Sequence, residues 1–426
     1  MAKKKQIELI IEEKLKNTLV PKEEQPYKIP SNWCWIRLLE SFVNKTDSKK
    51  KIKQKDYLEE GNYPIVDQGR DLIGGYTNDD KLIIYIKKPI IVFGDHTRCI
   101  KYINFDFVQG ADGTKILEPK KIFLEKYFYY AFKNINIPSL GYRRHYPMFN
   151  KLKIQIAPIN EQQRIVNRIE SLFVKLDRAK ELIENTLAQF EQNKMAILHK
   201  AFTGELTVKW RKENNINEKN FFNKVKLKNV IKLISGRDVS VSLCNDKSIG
   251  IPYILGASNI KDNKFFIERW IENPVVVSEK NDILLSVKGT IGKLYLQKEE
   301  KINISRQIMA LRALNELNTH YLYYFLLREC ERLKFEGNGL IPGISRKDIL
   351  DLNILLPTLE EQQEIVNILD RLLAKYNKIK NLEQQLEKIE LLKKAILAKA
   401  FRGELGTNNP DEESAENLLK EILAEK

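Results

Sequence analysis

Two long segments of the chain have the hydrophobic spacing of extended helices. Between Glu161 and Phe202 there is no glycine or proline, and apolar residues recur in steps of three and four. The segment from Pro357 to Leu405 shows the same spacing. Such steps predict a heptad seam, which a second helix has to cover. The seam positions are Ile165, Ile169, Leu172, Leu176, Ile183, Leu187, Ile365, Leu369, Leu372, Tyr376, Ile379 and Leu386.

The two helical segments are copies of one another. Each begins just after a proline with Glu-Gln-Gln close behind (161–163 and 361–363), and each ends in Gly-Glu-Leu (204–206 and 403–405). Because proline and glycine are common helix boundaries, each copy predicts one long helix. A helix of this length is about 63 Å long, and we expect the two copies to pair as an antiparallel coiled coil. The alternative, packing of each helix along its own domain, would need a core of the same length.

The remaining segments have the pattern of short strands. β-branched and aromatic runs, such as residues 82–86, 90–93 and 282–287, alternate with Gly, Asn and Asp turns. Each segment closes with an aromatic helix, at 127–132 and 321–326. The sequence therefore predicts an α/β (α+β) fold in which two strand-rich globular domains are separated by the two long helices, with an internal pseudo-two-fold repeat.

The repeat also predicts the domain boundaries. We expect an N-terminal helical and basic segment (1–26), a first globular domain (27–157), a first helix (158–206), a second globular domain (207–356), a second helix (357–405) and an acidic C-terminal tail (406–426).

Positive charge is concentrated in the globular segments. The chain has a formal net charge of +15 and a pI near 9.3. Residues 1–158 carry 29 basic and 19 acidic side chains and residues 207–357 carry 25 and 17, whereas residues 159–206 carry seven of each. One basic domain is compatible with an ordinary soluble surface, but two in one chain favour a polyanionic partner.

The sequence excludes several other classes of protein. No uncharged apolar run approaches the ~18 residues that a membrane span requires, and the N-terminus lacks a signal-peptide pattern, so we expect a soluble cytoplasmic protein without a membrane partner. Four widely spaced cysteines, without a CxxC pair, predict neither a disulfide scaffold nor a zinc finger.

The sequence carries no recognisable catalytic chemistry. The amino-methyltransferase tetrapeptide (Asn or Asp, Pro, Pro, aromatic) is absent, since Asn273-Pro274 is followed by Val275. There is no GxGxxG loop, and the four histidines form no metal-binding pair. The sequence therefore predicts no catalytic residue, no bound cofactor and no metal site.

The duplicated motifs resemble those of a known family. Two variable domains, each followed by a Pro-x-x-Glu-Gln-x-x-Ile-Val helix that ends in Lys-Ala-Phe-x-Gly-Glu-Leu, resemble the specificity subunit of Type I restriction–modification systems. The segments at 26–33, 93–98, 109–113 and 341–345 are also similar to that family. The likeness extends from about Tyr27 to Leu405.

The resemblance implies a non-catalytic subunit with two target-recognition domains, which read the two halves of an asymmetric, bipartite site in double-stranded DNA. It implies docking of two methyltransferase (modification) subunits and, through them, of nuclease–translocase (restriction) subunits. The complete complex would be an adenine-specific DNA methyltransferase and a site-specific deoxyribonuclease. S-adenosylmethionine, ATP and Mg would be bound by the partner subunits. The acidic tail has no role that the family assigns.

Candidate DNA contacts are polar and basic residues of the globular segments. Lysines of residues 49–55 would neutralise phosphates, whereas Arg, Lys, Asn and Gln side chains on loops would read base edges. The candidates are Arg70, His96, Arg98, Gln109, Tyr142, Arg143, Arg144 and His145 in the first domain, and Arg237, Ser258, Asn259, Lys288, Arg306, Gln307, Asn338 and Arg346 in the second. The loop from Gly141 to His145 is the best single candidate.

Two other functions remain open at this point. One is a sequence-specific DNA-binding regulator, and the other is a coiled-coil architectural protein with basic lobes, both without restriction partners. The first would bind its site alone, and the second would bind DNA without sequence preference.

Overall fold

A computed structural model describes residues 11–47, 49–216, 223–261, 264–336, 343–377 and 380–424. The chain forms two compact units. Unit 1 combines the residues up to Leu182 with those from Gln384 onward, and unit 2 is the continuous stretch Ile183–Glu383. Among the described residues, no helix has the length and apolar character that crossing a bilayer requires.

The helices, in chain order, are α1 (residues 11–18), α2 (Glu125–Asn134), α3 (Ile159–Ala201), α4 (Val208–Glu213), α5 (Thr319–Glu336), α6 (Arg346–Leu350), α7 (Leu359–Asn377), α8 (Lys380–Ala400) and α9 (Ala415–Ala424). The first predicted long helix is α3. The second predicted helix is described as two helices, α7 and α8, because residues 378–379 lie outside the described part of the chain.

The described residues of unit 1 form ten strands. They are β1 (Cys34–Arg37), β2 (Phe42–Asn44), β3 (Tyr63–Val66), β4 (Gly75–Thr77), β5 (Ile83–Ile84), β6 (Ile90–Gly94), β7 (Ile100–Ile103), β8 (Phe107–Gln109), β9 (Thr114–Pro119) and β10 (Lys153–Ile156). They form a two-stranded sheet β1-β10 and two four-stranded sheets, β2-β9-β6-β7 and β4-β3-β8-β5. The pair β3 and β8 is parallel, and the other pairs are antiparallel.

Unit 2 repeats this arrangement with β11 (Lys224–Lys226), β12 (Ile231–Ser235), β13 (Cys244–Asn245), β14 (Ile251–Ile254), β15 (Ile260–Lys261), β16 (Lys264–Phe265), β17 (Trp270–Ile271), β18 (Val277–Glu279), β19 (Ile283–Ser286), β20 (Leu294–Leu296), β21 (Lys301–Ile304), β22 (Ile308–Ala313) and β23 (Asn353–Leu355). Its sheets are β11-β23, β12-β22-β19-β20, β13-β17-β14-β21-β18 and β15-β16. The parallel pair β14 and β21 corresponds to β3 and β8. The predicted mixed fold with an internal repeat is therefore confirmed.

Each globular domain begins and ends in one antiparallel strand pair. In unit 1, Cys34 lies opposite Ile156 and Arg37 opposite Lys153, and the Leu38 N–H donates to the Leu152 carbonyl at 2.9 Å. In unit 2, β11 and β23 pair in the same way. The rest of each domain is therefore inserted between two strands whose ends lie side by side.

The end of each long helical segment packs into a globular core. In unit 1, Phe401 is fully buried, and its ring lies 5.3 Å from that of Tyr127 on α2, in a core that also contains Ile165 and Ile169. In unit 2, Phe202 packs 4.9 Å from Tyr321 on α5, in a core that contains Ile365. The Ala-Phe pair of the repeated motif is thus a core anchor in both units.

Within unit 1, α3 and α8 run antiparallel. Asp177 pairs with Lys393, and Lys180, one turn later on α3, pairs with Glu390, one turn earlier on α8. Of the predicted seam residues in unit 1, Ile165 and Ile169 are buried, and Leu172, Leu176 and Leu386 are half-buried. In unit 2, Ile365 and Leu369 are buried, whereas Ile183, Leu187 and Leu372 are half-buried. The side chains of Tyr376 and Ile379 lie outside the described residues.

The C-terminal segment, which composition predicts as an acidic tail, packs as part of unit 1. Leu419 on α9 is buried in the same core as Leu15 of α1. The Arg164 side chain on α3 makes a two-pronged ion pair with Glu412, at 2.7 and 2.9 Å, and this contact lowers the pKa of the Glu412 carboxyl. Negative charge in this segment therefore serves an internal contact as well as the surface.

Candidate nucleic-acid interface

The most prominent basic feature of the first domain is a loop of residues 137–145, here called the basic loop. It connects α2 to the segment that precedes β10. At its tip Gly141 has a φ of +65°, a left-handed conformation that favours glycine, and Tyr142 is 98% exposed. Arg143 and Arg144 are exposed beside it. An aromatic ring and two guanidinium groups are thus presented to solvent together.

A second loop holds the basic loop in place. We call it the anchor turn; it comprises residues 95–98, directly after β6. Asp95 is buried, and its carbonyl oxygen accepts hydrogen bonds from the His145 N–H at 2.9 Å and from His145 Nδ1 at 2.8 Å. Its Oδ1 accepts from the Tyr146 N–H at 2.7 Å. The base of the basic loop is therefore bonded to the end of a core strand.

Two further side chains of the anchor turn reach the basic loop. His96 Nδ1 lies 2.8 Å from the Tyr142 carbonyl oxygen, to which it can only donate. Arg98, itself at a φ of +61°, donates from Nη1 to the Ile137 carbonyl at 2.9 Å. These contacts bond the anchor turn to the start and the tip of the basic loop.

A polar recess of about 190 Å³ lies beside the basic loop. Arg144, Lys51, Gln109 and Asp112 are among the residues that line it. Lys51 donates to the Asp112 carboxylate, and this bond together with the lysine charge lowers the pKa of Asp112. The carboxylate therefore stays ionised and partly neutralises a surface that is otherwise basic.

Gln68 is a polar residue of this region that the sequence patterns did not single out. Its Oε1 accepts from the His96 N–H at 3.2 Å, and its Nε2 donates to the Asp112 carbonyl at 3.0 Å. A Cβ at Gly113, where φ is +91°, would lie 2.8 Å from Gln68 Oε1. A glycine that is required for such close approach was the signal that could have pointed to Gln68.

A buried ion pair lies next to Gln68. Lys101 on β7 is 5% exposed at its side chain, and its Nζ lies 3.5 Å from Asp67 Oδ1. Burial lowers the pKa of Lys101, and the charge of Asp67 opposes that shift. Asp67 also accepts from the Gly69 N–H at 2.8 Å. Asp67 therefore links this ion pair to the backbone that follows Gln68.

The structure separates the candidates of the first domain into two groups. Arg70, Arg98, Tyr142, Arg143 and Arg144 are exposed, and His96 is half-buried. Gln109 and His145 are buried, at 3% and 0% exposure. Their burial favours support of the surface over direct contact with bases, and their assignment as DNA contacts stays a prediction.

The second domain has a corresponding turn after β19. The Ile344 N–H donates to the Val287 carbonyl at 2.9 Å, as His145 does to Asp95, and Lys288 forms a bridge with Gly343. Buried Ile344 thus stands where the first domain has buried His145. The frame is shared, but the side chains that it carries differ.

The candidates of the second domain also divide by exposure. Arg237, Ser258, Lys288, Arg306, Gln307 and Arg346 are exposed, and Asn338 lies outside the described residues. Arg306 pairs with Asp238 at 2.7 Å, and Arg346 donates to the Ser235 hydroxyl at 2.7 Å. Asn259 is fully buried, where its amide bonds three backbone groups, those of Leu255, Gly256 and Phe266, so its position also favours support over base contact.

A duplicated glutamate-glutamine pair was missed as a structural element. Glu161 and Glu361 are fully buried at the first turns of α3 and α7. Glu161 accepts from the Trp33 indole and the Asn408 amide, and Glu361 from Thr207 and Arg211. Burial raises the pKa of both glutamates, against the hydrogen bonds that lower it. The repeated Glu-Gln-Gln triplet was the available signal.

The neighbouring Gln162 and Gln362 make matching sets of bonds. Gln162 accepts from the Leu124 N–H and donates to the carbonyls of Ile122 and Ala157. Gln362 makes the corresponding bonds to the backbone of Asn318, Glu316 and Pro357. Each glutamine therefore joins a long helix to the globular domain that precedes it.

Exposed basic residues on two strand-rich frames of the same topology are typical of proteins that bind a polyanion through two modules. No cluster of His, Cys, Asp or Glu that could hold a metal ion occurs among the described residues. The family described as Type I restriction modification DNA specificity domain matches the chain twice, over residues 30–191 and 220–391. These matches cover most of the chain, and the chain therefore belongs to this family.

Curated relatives are similar at low identity. The Type I restriction enzyme EcoKI specificity subunit of Escherichia coli (strain K12) is 27% identical over 304 residues, which are 65% of this chain and 65% of that protein. The EcoDI specificity subunit of Escherichia coli is 25% identical over 445 residues, which are 94% of this chain and 96% of that protein. The match to the EcoKI subunit thus spans just under two thirds of its length.

Solved structures share the fold. One is a chain from a structure titled "Structural basis underlying complex assembly and conformational transition of the type I R-M system". It has a TM-score of 0.69 at 20% identity, over 89% of this chain and all of that chain. The crystal structure of the HsdS subunit from Thermoanaerobacter tengcongensis has a TM-score of 0.51 at 21% identity, over 90% of this chain and all of that chain.

Proposed function

We propose that this protein is the DNA-recognition subunit of a Type I restriction–modification complex. Each globular domain reads one half of an asymmetric bipartite site in double-stranded DNA, and the subunit itself catalyses nothing. Methyltransferase and nuclease–translocase subunits supply the chemistry, and S-adenosylmethionine, ATP and Mg are bound there. We expect the complex to act in the cytoplasm.

The observation that carries the proposal is the basic loop on its anchor turn. Sequence readout needs donors that are held in register with base edges, and arginine is the side chain best suited to guanine in the major groove. Arg143 and Arg144 are exposed on a loop whose backbone is bonded to a core strand through Asp95 and His145. Such a loop loses little conformational freedom when it binds.

The pairing of two different surfaces with one frame supports a split site. Both domains share the order of their main sheets, yet exposed candidates at corresponding positions differ, as do His145 and Ile344 beneath them. One frame with two different surfaces suits two different half-sites. A regulator that binds a palindrome would need two equal surfaces instead.

Duplicated exposed residues support two copies of one partner. At the start of α3, Gln163 donates to Asn167 at 2.8 Å, and at the start of α7, Gln363 donates to Asn367 at 3.0 Å. All four side chains are exposed. Folding explains why buried residues repeat, whereas repeated exposed residues suit repeated docking of the same methyltransferase subunit.

Domain exchange tests the proposal. Residues 38–152 would be replaced by the matching segment of a family member, with the junctions placed just inside the pair β1-β10, so that the paired ends are kept. We expect the methylated motif of a host that carries the complete complex to change in one half and to keep the other. The unexchanged half-site reports that the complex assembled.

Two outcomes would contradict the proposal. If both halves of the motif changed together, the domains would not read DNA independently. If loss of the gene left genomic methylation unchanged while transcription of particular genes shifted, a DNA-binding regulator without restriction partners would be the better explanation.

A further inference from the structure

His145 is fully buried, and its hydrogen bonds hold the end of the basic loop against the anchor turn. Its Nδ1 and backbone N–H both donate to the Asp95 carbonyl, so Nδ1 carries the proton. Its Nε2 lies 3.0 Å from the Leu140 nitrogen, whose N–H it accepts. The ring therefore joins two backbone groups, the Asp95 carbonyl and the Leu140 N–H, and neither ring nitrogen is left over for a ligand.

The tip of the loop has its own fixed point. His96 on the anchor turn donates to the carbonyl of Tyr142, and the His96 backbone is in turn bonded to Gln68. The backbone of Tyr142 is thus held, while its ring is 98% exposed. Tyr85, elsewhere in the same domain, is 74% exposed, and none of the contacts described for the basic loop involves it.

An aromatic ring that projects from a fixed backbone suits a base or a sugar as its partner. Stacking of an aromatic ring on a base strengthens binding to nucleic acid, and apolar or aromatic side chains that enter a groove can wedge between base steps. Arg143 and Arg144, which follow Tyr142, add positive charge that attracts the phosphates next to the bases that they read. The three side chains therefore form one surface that suits contact with DNA.

We propose that the Tyr142 ring stacks on a base of the first half-site, and that His96 and His145 are positioning residues that hold the loop in place for this contact. The histidines act through the backbone of the basic loop and do not touch DNA. This inference rests on the proposed function, because it assigns part of the readout to one loop of the first domain.

The test uses the complete complex with its methyltransferase subunits and compares DNA duplexes that carry both half-sites or only one of them. Tyr142→Ala should weaken binding to the full site about tenfold or more, and should leave the contribution of the second half-site unchanged. Tyr142→Phe keeps the ring and should retain most of the affinity. Tyr85→Ala is the matched control and should have little effect.

The positioning role predicts a particular pattern for His145. His145→Leu introduces an apolar side chain, like that of Ile344 in the second domain, and removes both ring contacts. It should weaken binding to the first half-site in the same way as Tyr142→Ala. His145→Gln keeps one donor and one acceptor and should restore part of the loss. The double variant His145→Leu with Tyr142→Ala should be scarcely weaker than either single variant, because both changes remove the same contact.

Several results would overturn the inference. If the Tyr142→Ala variant bound DNA as well as the Tyr85→Ala variant does, Tyr142 would not contact DNA. Additive losses of affinity in the double variant would mean that His145 does not act through Tyr142. If weakened variants lost the second half-site too, His145 would serve only overall folding. A wild-type complex with no preference for either half-site would instead refute the proposed function itself.

Discussion

Gln162 offers the sharpest test of how the long helices are joined to the globular domains. Its side chain is fully buried at the first turn of α3, where Oε1 accepts from the Leu124 N–H at 2.8 Å. Nε2 donates to the carbonyls of Ile122 and Ala157, at 2.8 and 2.9 Å. One amide therefore satisfies three backbone groups that have been taken out of water.

Replacement by alanine removes all three bonds and leaves their partners without the glutamine. At about 1 kcal/mol for each hydrogen bond, Gln162→Ala should lower the free energy of unfolding by about 3 kcal/mol. For a unit of roughly 200 residues, this loss corresponds to a decrease in Tm of about 6–12 °C. Differential scanning calorimetry of the purified protein, with urea unfolding as a second measure, would report it.

The next residue in the chain is the control. Gln163 is exposed and bonds only to Asn167 in the described structure, so Gln163→Ala should change the stability by less than about 0.5 kcal/mol. Gln162→Glu keeps the size but turns a carboxylate toward two carbonyl oxygens, and should destabilise at least as much as alanine. If Gln162→Ala and Gln163→Ala were equally mild, the buried amide would not join the helix to the domain.

Two other outcomes follow from charge. Burial raises the pKa of Glu161 above its ordinary value of 4.5, so the folded state keeps this proton to a higher pH than the unfolded state does. The free energy of unfolding, measured relative to that of Glu161→Gln, should therefore fall as the pH rises from 4.5 toward neutrality. If urea unfolding showed that this difference stays constant or increases with pH, the reasoning would be refuted. Lys49, Lys50 and Lys53 are exposed, and changing all three to Gln should lower the steepness of log K against log salt by about 0.9 for each phosphate that a lysine no longer neutralises, whereas an unchanged slope would place DNA elsewhere.

The extent of prediction from sequence differs between regular and irregular parts of the molecule. Ile165 and Ile365 are buried, as apolar positions of a heptad pattern are expected to be, because heptad spacing is a local property of one helix. The strand-rich domains followed from alternation and turn residues in the same way. The site is less predictable, because Tyr142 and His145 are three residues apart in one loop, yet one is 98% exposed and the other is buried.

Contacts between distant segments explain what could not be predicted. The burial of His145 depends on Asp95, fifty positions earlier, and no local pattern indicates that pairing. The fold of the C-terminal segment likewise depends on Arg164 and on α1, far away in the chain. Composition described that segment as an acidic tail, since composition cannot show which charges have a partner.

Unit 1 is built from two stretches that leave the ribosome far apart in time. Between Leu182 and Gln384 lie about 200 residues, all of which belong to unit 2. At about 5–20 residues per second, their synthesis takes about 10–40 s. During that interval the core around Tyr127 lacks Phe401 and Leu397, which belong to it in the finished protein. Unit 2 is one continuous stretch of the chain, so it can fold before the residues from Gln384 onward, which complete unit 1, have been synthesised. Aggregation during synthesis is therefore expected to begin at the first domain.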